Sequence, residues 1–369
     1  MLLYLMDKKY DTVIIGAGIN GVAIARALAL SGKKVLIVEK SHIAAGASSN
    51  SSRLIHGGLR YLENFEFSLV KEALLDQKYL LKTYPGLVKQ CPFYLPIYKG
   101  SKRPFWVIGL GLWLYGLLAY HKEKPTEVSK IEFLKQFEAI KKKNLRKIYK
   151  YFDAKTDDNL LTHTIAEEAR NAGTEILEYT QITRIDVSKT LITLQINNDV
   201  VQTNILINSA GAWIDEVNTT FNLPSSYTIE KLSGIHLIIN RALVPQPLIL
   251  ETSTKRIFFI IPDKDATIIG TTERSEDMQV DDIVINNEDI EYLLNQSNAY
   301  LNIVLTNDDI QEVYIGTRPI IKSKKNLSKM SREYKLDLHR IGQNKILNVY
   351  GGKLTTFHSL SKKAFKILD

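Results

Sequence analysis

The sequence predicts an α/β domain into which an α+β domain with an antiparallel sheet is inserted. Three observations predict this class: a strand, glycine loop, helix and strand near the N-terminus, a second apolar strand ending in an Ala-Gly turn, and alternating strand patterns across residues 214–335. With 369 residues, 45% of them hydrophobic, the chain is long enough for two domains. We expect the first domain to comprise residues 1–84, 151–213 and 340–369, and the second residues 85–150 and 214–339.

The N-terminal segment supplies the first strand, helix and strand in order. Residues 10–15 (YDTVII) read as a buried strand, residues 22–31 as a helix closed by Gly32, and residues 34–38 (KVLIV) as a second strand. The loop between the first strand and the helix has the spacing Gly-x-Gly-x-x-Gly. This order is typical of a Rossmann-like dinucleotide-binding unit.

Each glycine of that loop has a physical reason. Gly16 permits a tight turn, Gly18 lets the backbone approach a pyrophosphate, and Gly21 lets helix and strand pack closely. The helix N-terminus then offers N–H groups and a positive dipole end to phosphate. Glu39 follows the second strand, where a carboxylate meets ribose hydroxyls and disfavours a 2′-phosphate. The residues leave FAD and NAD as alternatives.

The next strand of this domain is predicted at residues 205–209 (ILINS). It runs into Ala210, Gly211, Ala212 and Trp213. A strand that ends in Ala-Gly beside the first nucleotide strand suits close approach of backbone to a cofactor. An ordinary strand-to-helix turn is the alternative.

Residues 51–63 (SSRLIHGGLRYLE) lack a plain helix or strand period. Gly57 and Gly58 allow a flat ring to lie against the main chain, and the nearby serines supply hydroxyl groups. Arg60 and Tyr61 add a cation and a hydroxyl close to that ring. A surface loop with incidental charge is the alternative interpretation.

Composition narrows the function classes. A net charge of +8 favours acidic substrates, nucleotides or an anionic membrane surface without choosing between them. Cys91 is the only cysteine, so an internal disulfide and a cysteine-based metal site are excluded, and we expect no metal. The apolar stretch at the start, MLLYLMDKKYD, is too short for a secretory signal and is followed too closely by an acidic residue. We therefore expect a cytoplasmic protein. The basic run 141–147 is interpreted as a solvated helix face, and no nucleic-acid partner is expected.

Five segments occur in an order that resembles the FAD-dependent glycerol-3-phosphate dehydrogenases of the D-amino-acid-oxidase-like superfamily. They read GAGINGVAIARALALSGKKVLIVEK, SSRLIHGGLRYLE, KRIFFIIPDKDATIIGTTE, GTRPI and YGGKLTTF. The resemblance implies a Rossmann-like FAD-binding domain with an inserted antiparallel-sheet substrate domain. It also implies oxidation of sn-glycerol 3-phosphate to dihydroxyacetone phosphate, by hydride transfer from C2 to FAD N5, with electrons passed to quinone.

The resemblance also assigns residues to the cofactor. It places the glycine loop on the pyrophosphate, the acid after the second strand on the adenosine ribose, and the serine-rich and C-terminal loops on the two sides of the flavin. The residues so assigned are Gly16, Gly18, Ile19, Asn20, Gly21, Glu39, Lys40, Ser48, Ser52, His56, Gly58, Leu59, Ile182, Ala210, Gly211, Trp213, Gly351, Gly352, Leu354 and Thr355.

A small phosphate ester needs several cations, because each charge-assisted hydrogen bond contributes roughly 1.5–3 kcal/mol. The residues assigned to the substrate are Arg60, Tyr61, Thr271 and Arg332, and those assigned to catalysis are His236, Arg318 and Lys353. His236 is the candidate base, since a histidine titrates near neutral pH. Arg318 is a candidate to polarise the C2 oxygen and Lys353 to favour anionic reduced flavin. We expect Arg60, Arg318 and Lys353 to converge on one small anion.

Some positions depart from the pattern of the family. Glu273 stands where GTTD would give aspartate, Ser233 replaces a lysine, and His358 replaces an arginine. Many relatives continue into a further C-terminal helical domain, whereas this sequence stops at Asp369. The exact substrate, the electron acceptor and the oligomeric state therefore stay open. Two alternatives remain: a related FAD oxidoreductase acting on another anionic 2-hydroxy acid or amine, and a non-catalytic flavin-binding subunit.

Residues 105–120 (FWVIGLGLWLYGLLAY) carry no charge and have basic residues on both sides. Their length falls short of the roughly 20 residues that span a bilayer. Tryptophan, tyrosine and basic flanks suit the membrane interface, and a buried helix is the alternative. The two are compatible if one face packs in the core. We expect peripheral attachment to the cytoplasmic face of a membrane, where quinone is accessible.

Overall fold

The computed structural model describes residues 8–119, 123–322 and 333–369, with backbone alone for Arg60, Glu63 and Asn64. The described residues form two compact units. The first unit comprises those within Met1–Ser51, Asp157–Leu232 and Thr317–Asp369, and the second comprises those within Ser52–Thr156 and Ser233–Gly316.

The helices and strands are numbered in chain order. The α-helices are α1 (Ile19–Leu30), α2 (Phe67–Thr83), α3 (Phe105–Leu118), α4 (Lys130–Gln136), α5 (Asp158–Asn171), α6 (Ile214–Thr220), α7 (Asn287–Asn298) and α8 (Phe357–Leu368). The strands are β1 (Lys8–Lys9), β2 (Thr12–Ile15), β3 (Val35–Val38), β4 (Leu54–Ile55), β5 (Lys89–Tyr98), β6 (Thr126–Val128), β7 (Leu145–Lys155), β8 (Glu175–Leu177), β9 (Ile182–Val187), β10 (Ile192–Ile196), β11 (Asp199–Thr203), β12 (Ile205–Asn208), β13 (Ile229–Ile239), β14 (Leu248–Glu251), β15 (Ile257–Asp263), β16 (Ala266–Gly270), β17 (Arg274–Glu276), β18 (Ile310–Ile321), β19 (Lys335–Ile341) and β20 (Asn344–Tyr350).

The first unit is built on a six-stranded sheet in the order β19-β20-β12-β2-β3-β8. All neighbours in it are parallel except the edge pair of β19 and β20. Strands β2 and β3 are apolar throughout or nearly so, as expected for a sheet buried on both faces. The parallel strands bring the loops after β2, β3 and β12 to one edge of the sheet, where an α/β fold binds its ligand.

A smaller four-stranded sheet completes the first unit, in the order β1-β11-β10-β9. Alternate residues of β10 are fully buried, including Ile192, Leu194 and Ile196. They pack in one core with Val13 and Leu36 of the larger sheet. This core fixes β2 and β3, and with them the loop that precedes α1.

The second unit is built on a ten-stranded, mainly antiparallel sheet. Its main path runs β17-β13-β16-β15-β14-β5-β7-β4, with β18 pairing β13 and β6 pairing β7. One core lies around Phe133, Phe137 and Phe258, and another around Tyr115 and Tyr151. The predicted strands HLIIN, RIFFII, ATIIGTT and EVYIGTR correspond to β13, β15, β16 and β18.

The structure differs from some expectations. Helix α1 begins at Ile19, inside the glycine motif, because Gly18 already has the extended backbone of an N-cap. The unit boundaries follow Ser51, Thr156, Leu232 and Gly316. Residues 52–84 therefore fall in the second unit, since β4 pairs with β7 of its sheet.

The structure also bears on two predictions about the protein surface, the basic run at residues 141–147 and the apolar segment at residues 105–120. The prediction of a helix at residues 141–147 was wrong, because this basic run is a turn that leads into β7. Asn144 in the turn has a φ of +65°, which a helix does not contain. Within residues 8–119, 123–322 and 333–369, no helix is both long enough and apolar enough to cross a bilayer.

Candidate active site

The glycine loop after β2 is packed so closely that side chains are excluded. Gly16 has a φ of +98°, and a Cβ there would lie 2.8 Å from the carbonyl oxygen of Ser209. A Cβ on Gly21 would lie 2.1 Å from the carbonyl oxygen of Gly16. Ser209, at the end of β12, donates its N–H to Ile15 at 2.9 Å. The loop, α1 and the end of β12 thus form one close-packed cradle.

The N-terminus of α1 has no side-chain cap from its own N-cap residue, Gly18. The N–H of Ile19 instead donates to Ser48 Oγ at 2.9 Å. A Cβ on Gly18 would lie 3.3 Å from the same oxygen. Ser48, which we assigned to the flavin, therefore anchors the start of the helix, and its contact with the ring stays a prediction.

Glu39 joins the glycine loop to the segment after β3. Its Oε2 accepts from the N–H of Ala17 at 2.7 Å, and its Oε1 accepts from the N–H of Ser41 at 2.8 Å. An ionised carboxylate has about four acceptor positions, so each oxygen keeps capacity for a ribose hydroxyl. The geometry fits the predicted role of Glu39.

Trp213 follows the Ala210-Gly211 turn and lies beside Lys40, another residue that we assigned to the cofactor. Lys40 Nζ lies 4.3 Å from the centroid of the Trp213 ring, which is a cation–π contact. A Cβ on Gly46 would lie 3.1 Å from the same ring, so Gly46 makes room for it. Ile182 begins β9 and packs on the core of the small sheet. Its contact with the cofactor stays a prediction.

The C-terminal glycine loop is pinned to the start of α1. Asn20 Nδ2 donates to the carbonyl oxygen of Gly351 at 3.2 Å. Gly351 and Gly352 have φ values of +69° and +98°, and a Cβ on Gly352 would lie 2.6 Å from Asn20 Nδ2. Residues that the sequence separates widely are therefore neighbours at one helix terminus.

The remaining residues of this loop and Arg318 also lie in the first unit. Thr355 is buried, whereas Lys353 and Leu354 are half-buried. Thr356 donates its N–H to the carbonyl oxygen of Lys353 at 3.0 Å, which closes the turn before α8. Arg318 is half-buried near the end of β18.

These features fit FAD at the nucleotide end. The loop has the glycine spacing that lets the main chain approach a pyrophosphate, the first turn of α1 supplies N–H donors, and Glu39 supplies acceptors for a ribose. The second glycine loop lies within hydrogen-bond reach of α1. The glycine loop and Glu39 were predicted from the motif. The contact of the second glycine loop with α1 and the role of Ser209 were not, and the signal for Ser209 is only its place after an apolar strand.

In the second unit, His236 is held on three sides. It lies on β13, is 2% exposed and faces Gly270 of β16 in register. A Cβ on Gly270 would lie 2.3 Å from His236 Cδ2, so the ring occupies the space that a side chain would need. The ring of Tyr314 stacks on the imidazole, with centroids 4.8 Å apart and planes 13° apart.

Ser52 completes this cluster. Its Oγ lies 2.8 Å from His236 Nε2, a hydrogen bond in which the tautomer decides the donor. Ser52 is half-buried and so is the more accessible member of the pair. We assigned Ser52 to the flavin from the resemblance, and the structure adds a contact with the candidate base. Sequence reasoning missed Tyr314 and Gly270, although a glycine inside a strand signals close approach.

The turn that contains His56 is the other cluster in the second unit. Gly57 donates its N–H to Tyr115 Oη at 2.9 Å. Gly58 has a φ of +76°, and a Cβ there would lie 2.1 Å from Cε2 of Tyr61, so the Tyr61 ring packs under this glycine. His56 is half-buried between the two contacts. Leu59 then begins a 3-10 helix, Leu59–Asn64.

Thr271 lies beside Gly234, where a Cβ would come within 2.5 Å of Thr271 Oγ1. The hydroxyl of Thr271 donates to the carbonyl oxygen of Thr272 at 3.0 Å. Arg332 lies outside the described residues, as does the side chain of Arg60. The convergence of Arg60, Arg318 and Lys353 therefore stays a prediction.

The departures from the family pattern at Glu273 and Ser233 are paired within the second unit. Glu273 forms an ion pair with Arg256 at 2.9 Å. Ser233 donates its hydroxyl to the buried Glu276, which also accepts from Arg274 Nε at 2.6 Å. Both acidic side chains thus have a cationic partner close by.

His358 lies in the first turn of α8. Burial, together with the nearby charges of Lys362 and Arg26, lowers the pKa of His358 to about 4. This imidazole is therefore neutral at physiological pH, unlike the arginine that the family pattern has there.

Comparison with known proteins agrees with this geometry. A family profile described as FAD dependent oxidoreductase matches residues 11–352. The glycerol-3-phosphate dehydrogenase of Pseudomonas tolaasii is 36% identical, over 97% of this chain and 71% of its own length. The D-erythritol 1-phosphate dehydrogenase of Brucella abortus is 33% identical, over 96% of this chain and 72% of its own.

A solved structure matches over nearly the whole chain. The glycerol-3-phosphate dehydrogenase of Bacillus halodurans, complexed with FAD, has a TM-score of 0.76 and 22% identity, and the match covers 99% of this chain and 65% of that chain. This chain thus spans about two thirds of that protein's length. The predicted fold class and the predicted cofactor are confirmed. The chain belongs to the family of FAD-dependent oxidoreductases.

Proposed function

We propose that this protein oxidises sn-glycerol 3-phosphate at C2 to give dihydroxyacetone phosphate. The observation that carries the proposal is the similarity, over almost all of this chain, to relatives named for this activity. Because the chain spans 70–74% of the lengths of those relatives, the activity of a whole relative is a proposal for this chain. When bound, FAD supplies the two-electron oxidant that takes the hydride from C2 at N5 of its ring.

The proton of the C2 hydroxyl leaves to a base, and the Ser52–His236 pair suits that task. His236 is almost fully buried, so the half-buried Ser52 hydroxyl is the accessible end of the pair. In the proposed transfer, Ser52 Oγ accepts the substrate proton while it donates its own proton to His236 Nε2 across 2.8 Å. The stacked ring of Tyr314 and the backbone at Gly270 hold the imidazole in one orientation.

Variants of this pair test the transfer. His236→Ala should lower kcat by roughly 10²–10⁴-fold, the contribution of a positioned general base. Ser52→Ala should also lower kcat. Ser52→Thr keeps the hydroxyl and should therefore retain most of the wild-type kcat. A Ser52→Ala variant with the wild-type kcat would exclude Ser52 from the proton path.

The phosphate needs cations, and Arg60, Arg318, Lys353 and Arg332 are the residues we propose for it. Tyr61 and Thr271 are proposed to contact the rest of the substrate. Arg318 is also proposed to polarise the C2 oxygen as negative charge develops on it. The departures at Ser233, Glu273 and His358 bear on substrate choice, because each of them changes the charge or the size of a side chain in the pattern.

A second polyol phosphate is the alternative substrate. The similarity to D-erythritol 1-phosphate dehydrogenase is nearly as high as that to the glycerol-3-phosphate dehydrogenases. The two compounds share a phosphate and a secondary alcohol and differ in carbon-chain length. Steady-state assays of the two phosphates with a soluble quinone analogue, with the ketone products identified by mass spectrometry, decide between them. A higher kcat/KM for sn-glycerol 3-phosphate supports our first choice.

We propose that quinone is the electron acceptor and that the protein reaches it by binding to a membrane surface. The support is α3, whose outer face is apolar and exposed. Four large side chains spaced along that face, Trp106, Leu110, Trp113 and Leu117, are each 56–63% exposed. Their spacing puts them on one side of a helix. Exposed Lys99, Lys102 and Lys124 flank the helix and suit anionic lipid.

A further inference from the structure

A buried polar cluster lies beneath the His56 turn in the second unit. It consists of Gln77 of α2, Tyr115 of α3, and Tyr151 and Asp153 of β7, and all four side chains are almost fully buried. None of these residues belongs to the proposed substrate or cofactor contacts. We call them the Asp153 cluster.

The cluster holds both main-chain groups that flank His56. Tyr115 accepts the N–H of Gly57 at 2.9 Å and donates its own hydroxyl to Asp153 Oδ1 at 2.6 Å. Gln77 Nε2 donates to the carbonyl oxygen of Ile55 at 2.7 Å and to the same Asp153 oxygen at 2.8 Å. One carboxylate oxygen thus anchors the chain on each side of His56.

Sterics reinforce the hydrogen bonds. A Cβ on Gly57 would lie 2.6 Å from Tyr115 Oη and 2.6 Å from Leu74 Cδ2, so the turn fits against the cluster only as glycine. Strand β4 pairs Ile55 with Ala154, next to Asp153, which sets the turn at that depth. The Tyr115 and Tyr151 rings meet edge to face, with centroids 5.7 Å apart.

The buried carboxylate of Asp153 calls for a structural explanation, because an apolar group of similar volume often stabilises a protein core equally well. Burial raises the pKa of Asp153 to about 7, although its hydrogen bonds with Tyr115, Gln77, the main chain of Gly57 and Tyr151 oppose the rise. What an apolar group would not supply is an acceptor that fixes Tyr115 and Gln77. Those two side chains hydrogen-bond the main chain on either side of His56.

We propose that Tyr115 and Gln77, both oriented by Asp153, are positioning residues that preform the turn Ile55–Gly57 for the flavin ring. The proposal rests on the assignment of this turn to the flavin, which comes from the family resemblance. In this view the cluster acts on FAD binding through the backbone, without touching the cofactor.

Tyr115→Phe tests the proposal, with Tyr151→Phe as its matched control. Both tyrosines are buried and both form a hydrogen bond with Asp153, but only Tyr115 also binds the turn. We expect Tyr115→Phe to weaken FAD binding at least about fivefold, since it removes the hydroxyl that accepts the buried N–H of Gly57. Tyr151→Phe should lower the melting temperature and leave the FAD dissociation constant within twofold of wild type.

Hydrogen exchange of the apoprotein supplies a readout that needs no flavin. Tyr115→Phe should speed amide exchange in the peptide that contains Gly57 by about tenfold, and Tyr151→Phe should not. Gln77→Leu, which releases the carbonyl of Ile55, is a second variant with the same expected effects if Tyr115→Phe fails to fold. If wild-type protein takes up no FAD, the flavin assignment fails, and the exchange result still tests the cluster.

Two results would overturn the proposal. One is equal weakening of FAD binding by Tyr115→Phe and Tyr151→Phe, which would show a general loss of stability. The other is unchanged exchange at Gly57 in both Tyr115→Phe and Gln77→Leu, which would show that the turn holds its conformation without the cluster.

Discussion

The imidazole of His236 owes its position to a residue with no side chain. Gly270 faces it across β13 and β16, and the ring fills the place of a Cβ at 2.3 Å. Gly270→Ala should therefore displace the ring from Tyr314 and Ser52. We expect a loss of stability of about 1–3 kcal/mol from overpacking and a larger proportional loss of kcat. Denaturant unfolding and steady-state kinetics measure the two effects.

Gly86→Ala is the control for that substitution. A Cβ on Gly86 meets nothing within 4 Å, so its stability should change by less than about 0.5 kcal/mol. A Gly270→Ala protein with the stability and kcat of Gly86→Ala would show that the packing around His236 is looser than described.

Asp153 predicts a pH dependence of stability with a definite sign. Its pKa is raised from 3.8 to about 7 in the folded protein. At a pH between these two values, the folded state therefore keeps a proton that the unfolded state has lost. The free energy of unfolding should therefore fall as pH rises from about 4 to 7, by up to ~1.4 kcal/mol per pH unit from this group.

Asp153→Asn isolates that contribution because it keeps an acceptor oxygen and removes the titration. The free energy of unfolding of the variant, minus that of wild type, should increase from pH 4 to pH 7 and then level off. Urea unfolding at several pH values gives the difference directly. A difference that stays constant across this range would mean that Asp153 titrates in the folded protein as it does in water.

Helix α3 has one buried face and one exposed apolar face. Leu112 and Tyr115 are buried in the second unit, whereas the apolar residues on the opposite face are exposed. The buried face agrees with the interpretation as a core helix, and contact of the exposed face with lipid stays a prediction. Since Tyr115 also binds Gly57, the helix joins the exposed face to the His56 turn.

Charge on the outer face of α3 should abolish lipid binding without unfolding the protein. Trp113 is 59% exposed, and so is Leu110, so Leu110→Glu with Trp113→Glu places two charges where lipid contact is proposed. We expect the wild-type protein to float with anionic vesicles and the double variant to remain unbound.

Ile131→Glu provides the comparison, because Ile131 is 85% exposed and lies on a different helix, α4. It should float as wild type does. Flotation of the double variant at the wild-type level would contradict the assignment of α3 to the membrane.

For the protein as a whole, local patterns were predictable and distant pairings were not. Gly21 and Glu39 contact neighbours within one strand–loop–helix–strand segment, so their spacing alone predicts these contacts. The stacking of Tyr314 on His236 and the hydrogen bond between Asn20 and Gly351 join segments far apart in the chain. No period or motif within either segment encodes such a pair.

The Asp153 cluster shows the same limit from another side. Asp153 lies in β7 among alternating residues, where a charged residue reads as an outward position. Its burial is explained only by the folded structure, in which Gln77 of α2 and Tyr115 of α3 donate hydrogen bonds to it. The apolar segment was predictable in composition, but which of its residues face inward depends on the core that it meets.

The most direct test of the proposed activity is a single anaerobic mixing experiment. Protein carrying FAD is mixed with sn-glycerol 3-phosphate without oxygen or quinone, and the visible absorbance of the flavin is followed. Our account predicts bleaching in the wild type and bleaching at least a hundredfold slower in His236→Ala. A yellow protein that neither sn-glycerol 3-phosphate nor D-erythritol 1-phosphate bleaches would contradict it and favour a flavin-binding subunit without turnover.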